Sequence, residues 1–133
     1  YLGRRFGAGA SRLMRAASNT STAQLEQLLA KWKQLPAALV FPTGYMANLG
    51  VISAVMGKGD LIILDKLAHA SLIDGAYLSR ADIRVFKHND VADLEDILQT
   101  IKNKYKKILV ITESVFFHGW RPGTFGRALC FDA

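Results

Sequence analysis

The stretch DLIILDKLAHASLIDGAYLSRADIRVFKHND, residues 60–90, decides the fold. DLIILD opens it as a continuous apolar run closed by acids, the pattern of a strand covered on both faces. HASLIDGAYLSRA at 69–81 reads as a helix, and IRVFKH at 83–88 is extended again. Strand, helix and strand in close succession make a unit whose two strands run parallel.

The same alternation continues outward in both directions. DVADLEDILQTIKNK at 90–104 carries Leu94, Ile97, Leu98 and Ile101 on one helical face, and KILVITES at 107–114 is a further buried strand. On the other side, AALVF at 37–41 reads as a short buried strand. PTGYMANLGVISAVMG at 42–57 reads as a helix from about Gly44, with Gly57 near its end. TAQLEQLLAKWKQ at 22–34 is an amphipathic helix with Thr22 as its N-cap and Pro36 as its stop. Leu25, Leu28, Leu29 and Trp32 share its apolar face, and Leu25, Leu28 and Trp32 are expected to be buried. From 37 to 114 the order is β-α-β-α-β-α-β, which predicts an α/β fold with a mainly parallel sheet and flanking helices.

Composition narrows the function classes. A chain of 133 residues, half of them hydrophobic, holds one domain with a real core. No apolar run reaches the roughly 18–20 residues of a membrane span, and the start, YLGRRFGAGASRL, lacks the apolar run of a signal peptide. The single Cys130 excludes an internal disulfide, so a reducing, cytosolic setting is the default. The net charge of +6 is spread along the chain. Its densest cluster, KNKYKK at 102–107, reads as the solvated end of a helix and not as a nucleic-acid patch.

Ligands of such sheets bind beyond the carboxyl ends of the strands. The strand exits read Thr43-Gly44-Tyr45, His69-Ala70-Ser71, His88-Asn89-Asp90 and Glu113-Ser114. These four polar clusters belong on one edge. At Thr43-Gly44 a glycine and a helix start favour a phosphate. An ordinary capped helix suits the turn equally well, since the P-loop lysine and the full glycine fingerprint are absent. His69 is structural, a ring-stacking group, or an acid or base. HND at 88–90 is best read as a cap for the next helix. No Cys/His spacing suggests zinc, and no Gly-x-Ser-x-Gly elbow is present.

Taken together, FPTGYMANLG at 41–50, HASLIDGAYLS at 69–79, HND at 88–90, GAGASRL at 7–13 and TESVF at 112–116 resemble the α-oxoamine synthase family. These are pyridoxal 5'-phosphate enzymes of the aspartate-aminotransferase fold. The resemblance implies that Gly44 and Tyr45 bind the cofactor phosphate through their amides, that His69 stacks on its pyridine ring, and that Glu113 lies near it. Ser11 and Arg12 fall in the family's Gly-rich segment and are expected to meet substrate. The family joins an amino acid to an acyl thioester with loss of carbon dioxide and thiol, giving an amino ketone, while the cofactor acts as electron sink. The closest branch takes L-alanine and a pimeloyl thioester and belongs to biotin biosynthesis. The glycine C-acetyltransferase, 5-aminolevulinate and sphingolipid branches are the alternatives. Family subunits pair as homodimers. The lysine that would form the Schiff base and the aspartate that would face the pyridine nitrogen have no counterpart in this chain, so it is expected to be inactive alone.

The reading therefore divides the chain into an N-terminal segment and helix at 1–36, part of a cofactor-binding large domain at 37–116, and a tail at 117–133. Residues 14–24 also depart from the family pattern. The tail, FHGWRPGTFGRALCFDA, has no period, and its glycines and proline disfavour helix and strand. The family continues with a pattern like SMDGDxAPL. Permitted codons for the tail, read with one nucleotide fewer at the Phe116/Phe117 junction, spell Ser-Met-Asp-Gly-Asp. The tail is thus expected to be an out-of-frame translation and irregular. Sequencing the nucleotides across that junction tests this: the shifted frame should spell the family motif, and any other reading there ends the idea.

Overall fold

The computed structural model describes residues 21–101, 104–113 and 130–132. The elements are α1 (Ser21–Lys33), α2 (Gly44–Val55), β1 (Leu61–Asp65), α3 (Ala70–Ser79), β2 (Asp82–Phe86), α4 (Val91–Thr100), β3 (Lys107–Ile111) and β4 (Cys130–Asp132). The chain divides into two compact units, Tyr1–Val40 and Phe41–Ala133.

β1 is an inner strand, and the second unit is built on it. It pairs in parallel with β2 on one side and β3 on the other, with Ile63 opposite Arg84 and Val110. All five of its residues are buried. Side chains alternate across a strand, so Leu61 and Ile63 join Phe86, Leu94, Ile101 and Val110 in one cluster, while Ile62 and Leu64 join Ile52, Met56, Ala68, Ala76 and Ile111 in another. α2 and α3 supply the helical side of the second cluster, and α4 that of the first. This two-sided cover is why DLIILD shows no polar alternation.

Three of the helices start on side-chain caps; capping was among the sequence readings at Thr43 and at His88-Asn89-Asp90, whereas the cap by His69 is a finding of the structure. Thr43 Oγ1 accepts from the amide of Met46 at 3.1 Å, His69 Nδ1 from that of Ser71 at 3.2 Å, and Asp90 Oδ1 from that of Asp93 at 3.0 Å. The expected cap role of HND is thus met by Asp90. Asn89 sits in the left-handed region at φ 56°, which Asn tolerates better than most residues.

Five local expectations are corrected. Residues 37–41 form no strand: a strand exists only through the ladder it joins, and none is present there. The Val40 amide donates instead to Glu26 Oε1 at 2.8 Å. Helix α1 buries none of its residues, leaving Leu25, Leu28 and Trp32 exposed at 45%, 65% and 72%. Within its own unit the described residues supply no second element against which that stripe could pack, and Lys33 Nζ lies 4.4 Å from the Trp32 ring centre. α1 also begins at Ser21, which puts Thr22 inside the helix and not at its cap. α4 ends at Thr100, ahead of the basic cluster, and Lys107 already belongs to β3. Finally, Cys130–Asp132 pairs antiparallel with β3, with Phe131 opposite Ile108. Ladder hydrogen bonds are made by backbone, so an open edge accepts an extended segment whatever its side chains. The sheet order is β2-β1-β3-β4. Among the described residues no helix is long and apolar enough to cross a membrane.

The contact between α2 and α3 depends on Gly75. A Cβ there would lie 3.0 Å from Ile52 Cδ1 and 3.2 Å from the Asn48 backbone oxygen. The methyl can move aside, but the carbonyl of a helix cannot. Gly75→Ala gains helix propensity but overpacks a tight site, so we expect a net loss of about 1–2 kcal/mol, read from urea denaturation midpoints.

Candidate functional site

The polar groups gather at the carboxyl ends of β1, β2 and β3. The strand order turns back between β1 and β3, since β1 leads to β2 on one side and β3 lies on the other. Such a switch point is where open parallel sheets bind ligands. Here it is spanned by one hydrogen bond: the His69 amide, after β1, donates to Glu113 Oε2, after β3, at 2.9 Å. Thr112 precedes Glu113, and its buried hydroxyl has no partner among the described residues.

Asp65 closes β1 and is 2% exposed. A buried carboxylate must have its lone pairs filled. Oδ1 accepts from the Leu67 amide at 2.8 Å and faces His88 Nδ1 at 2.9 Å, while Oδ2 accepts from the Asn89 amide at 3.1 Å. One side chain thereby ties the loop after β1 to the loop after β2. The Ala68 amide closes the same turn on the Asp65 carbonyl at 3.0 Å, which delivers His69 to the start of α3.

His69 is held at its ring as well as at its backbone. Nδ1 lies 2.8 Å from Ser71 Oγ and 3.2 Å from the Ser71 amide nitrogen. Ser71 is 1% exposed, and its hydroxyl also meets Asn48 Nδ2, on α2, at 2.8 Å. The residue His69 itself is exposed.

The first turn of α2 reaches the same region. The Tyr45 hydroxyl donates to Asp74 Oδ2, on α3, at 2.6 Å. That hydrogen bond, then slight desolvation and the carboxylate charge, hold the phenol above its ordinary value. A raised value means the bond persists below the ordinary phenol range and is lost as pH rises through the shifted one. With Thr43 serving the Met46 amide, the amides of Gly44 and Tyr45 find no acceptor among the described residues. They stand at the positive end of the helix, and a Cβ on Gly44 would meet nothing within 4 Å. Two unspent donors beside open space fit a phosphate.

Of the six expected site residues, Gly44, Tyr45, His69 and Glu113 lie at this end of the second unit. Ser11 and Arg12 lie outside the described residues, as do positions 14–20 and most of the tail. Three residues carry more of the site than their sequence signal suggested. Asp65 was visible only as the acid ending an apolar run. Ser71 stood in a strand exit without a role, and Asn48 gave no signal, because its partner is 23 positions away.

The family described as aminotransferase class I and II matches residues 5–116. The chain belongs to that family. Within aminotransferase class I and II, it is 49% identical over 110 residues to 8-amino-7-oxononanoate synthase of Thermoanaerobacter pseudethanolicus, covering 83% of this chain and 28% of the relative. Thus the chain spans less than a third of that relative's length. Among solved structures it is similar to a serine palmitoyltransferase from S. paucimobilis with a bound PLP-myriocin aldimine. The TM-score is 0.77 at 36% identity, covering 89% of this chain and 30% of that one. It is also similar to 8-amino-7-oxononanoate synthase from Francisella tularensis, with a TM-score of 0.61 at 38% identity over 80% of this chain and 30% of that one.

Removing the Asp65 carboxylate strands donors that no neighbouring group replaces. Asp65→Ala should lower stability by about 3 kcal/mol, at about 1–3 kcal/mol for a buried donor left unpaired. Asp65→Asn, which keeps one acceptor, should lose less; chemical denaturation ranks the two.

Proposed function

We propose that this segment is the phosphate- and ring-holding part of a pyridoxal 5'-phosphate-dependent acyltransferase. The reaction joins L-alanine to a pimeloyl thioester, with loss of carbon dioxide and thiol, to form 8-amino-7-oxononanoate. The observation that carries this reading is the gathering of the free Gly44 and Tyr45 amides, the exposed His69 and the Glu113 carboxylate at one end of a parallel sheet. The names of the relative and of the Francisella structure support the reaction, and the PLP bound in the serine palmitoyltransferase structure supports the cofactor.

When bound, pyridoxal phosphate supplies an electron sink for the carbanion beside the amino group. The chain's own residues bind and orient. Gly44 and Tyr45 would hold the phosphate by their amides, assisted by the dipole of α2. His69 would offer its imidazole to the pyridine ring. Glu113, by accepting from the His69 amide, fixes where that residue stands relative to the exit of β3. No residue of this segment is assigned a covalent step. We further propose that Ser11 and Arg12 meet substrate and that the complete subunit works as a homodimer.

A second reading is favoured by one observation: the fold fits the serine palmitoyltransferase structure better than the Francisella synthase, at TM-scores of 0.77 and 0.61. Supplying the complete enzyme with L-serine and palmitoyl thioester, against L-alanine and pimeloyl thioester, separates the two.

Gly44→Pro tests the phosphate site. Gly44 is the first helical residue, where proline's missing donor is tolerated. Thr43 before it is already extended, at φ −143° and ψ 155°, as a residue before proline must be. Thermal stability should hold, within about 0.5 kcal/mol or slightly raised, while pyridoxal phosphate affinity, read by absorbance titration, should fall at least several-fold. Equal affinity would remove Gly44 from the site. The 133-residue chain alone should bind the cofactor weakly and show no turnover.

A further inference from the structure

We propose that Ser71, set by Asn48, is a positioning residue that keeps the His69 imidazole proton on Nε2 and fixes the ring before any cofactor arrives. The inference rests on the reading of His69 as the ring-holding residue and deepens it.

The argument starts from the one group whose hydrogen is not in question. The Ser71 backbone N–H can only donate, and it points at His69 Nδ1 from 3.2 Å. Nδ1 therefore accepts, and the neutral ring carries its proton on Nε2. Ser71 Oγ, 2.8 Å from the same nitrogen, must then donate as well. A hydroxyl that has given its proton to Nδ1 has lone pairs to fill, and it is buried at 1% exposure. Asn48 fills one with its Nδ2 donor at 2.8 Å. The order of donation is thus fixed from one end to the other: Asn48 amide to Ser71 hydroxyl to His69 Nδ1. It crosses from α2 to α3 at the place where Gly75 admits the close approach of the two helices. With its amide bound to Glu113 and Nδ1 bound twice by Ser71, the ring cannot turn over about χ2 without losing both contacts.

The test reads protonation of the two ring nitrogens directly. In the ¹⁵N-labelled chain without cofactor, at a pH where imidazole is neutral, long-range ¹H–¹⁵N correlation should show His69 with Nε2 protonated and Nδ1 bare. Asn48→Asp is nearly isosteric but replaces the donor by an acceptor. The Ser71 hydroxyl should then turn to the new carboxylate and present lone pairs to Nδ1, raising the share of the Nδ1–H form at least several-fold. Ser71→Ala should make that form detectable even if the aspartate variant fails to fold, and Ser71→Thr, which restores the hydroxyl, should recover the wild-type pattern. A protonated Nδ1 in the wild type, or an unchanged tautomer in both disruptive variants, overturns the proposal. Pyridoxal phosphate titration of the same samples keeps the two readings apart. A wild-type chain with bare Nδ1 that takes up no cofactor overturns the assigned function and leaves the relay standing.

Discussion

The arrangement depends most on the carboxylate of Asp65. It ends β1, which is buried along its whole length, and it is itself out of water. A charge in that position is tolerated only when donors surround it. The donors come from the two loops that follow β1 and β2, through Leu67, His88 and Asn89. The loop after β1 presents His69. A desolvation requirement in the core thus becomes a geometric restraint at the edge where the site lies.

A second restraint acts from the side. The helices α2 and α3 approach closely enough for a glycine to be needed at position 75, and two side-chain bonds, Tyr45 to Asp74 and Asn48 to Ser71, tie their N-terminal halves together. The Gly44 and Tyr45 amides and the histidine are therefore carried by two helices fastened to each other. Each restraint includes hydrogen bonds given by N–H donors, through Leu67 and Asn89 in the first and Asn48 in the second.

The apolar face of α1 is of another kind. Its leucines and Trp32 follow a helical period yet stay exposed in the described structure. A pattern of that sort shows that a helix forms and which side wants cover, but the cover must come from elsewhere. The sheet edge behaves likewise. β3 accepts Cys130–Asp132 although nothing in that segment reads as a strand, because an edge selects for extended backbone and not for sequence.

The sequence by itself determined the elements whose signal is local. DLIILD announced the buried strand because both faces of β1 are covered. The caps at Thr43 and Asp90 were legible because a cap bonds its own helix within three residues, while His69 gave no cap signal. The placement of His69 and Glu113 at one end followed from strand alternation, since parallel strands send their exits to one side, whereas Gly44 follows no strand and its helix is tied to α3 by side-chain hydrogen bonds. What only the tertiary structure decided is everything that rests on partners far apart in the chain. Residues 37–41 had the composition of a strand but no ladder to join. His88 looked like part of a cap and is the partner of Asp65, 23 positions earlier. Ser71 and Asn48 are ordinary polar residues in sequence, and become a directed chain of hydrogen bonds only where two helices meet. Periodicity and caps are written into neighbouring residues, whereas the direction of a buried hydrogen bond is set by whatever group the fold places opposite.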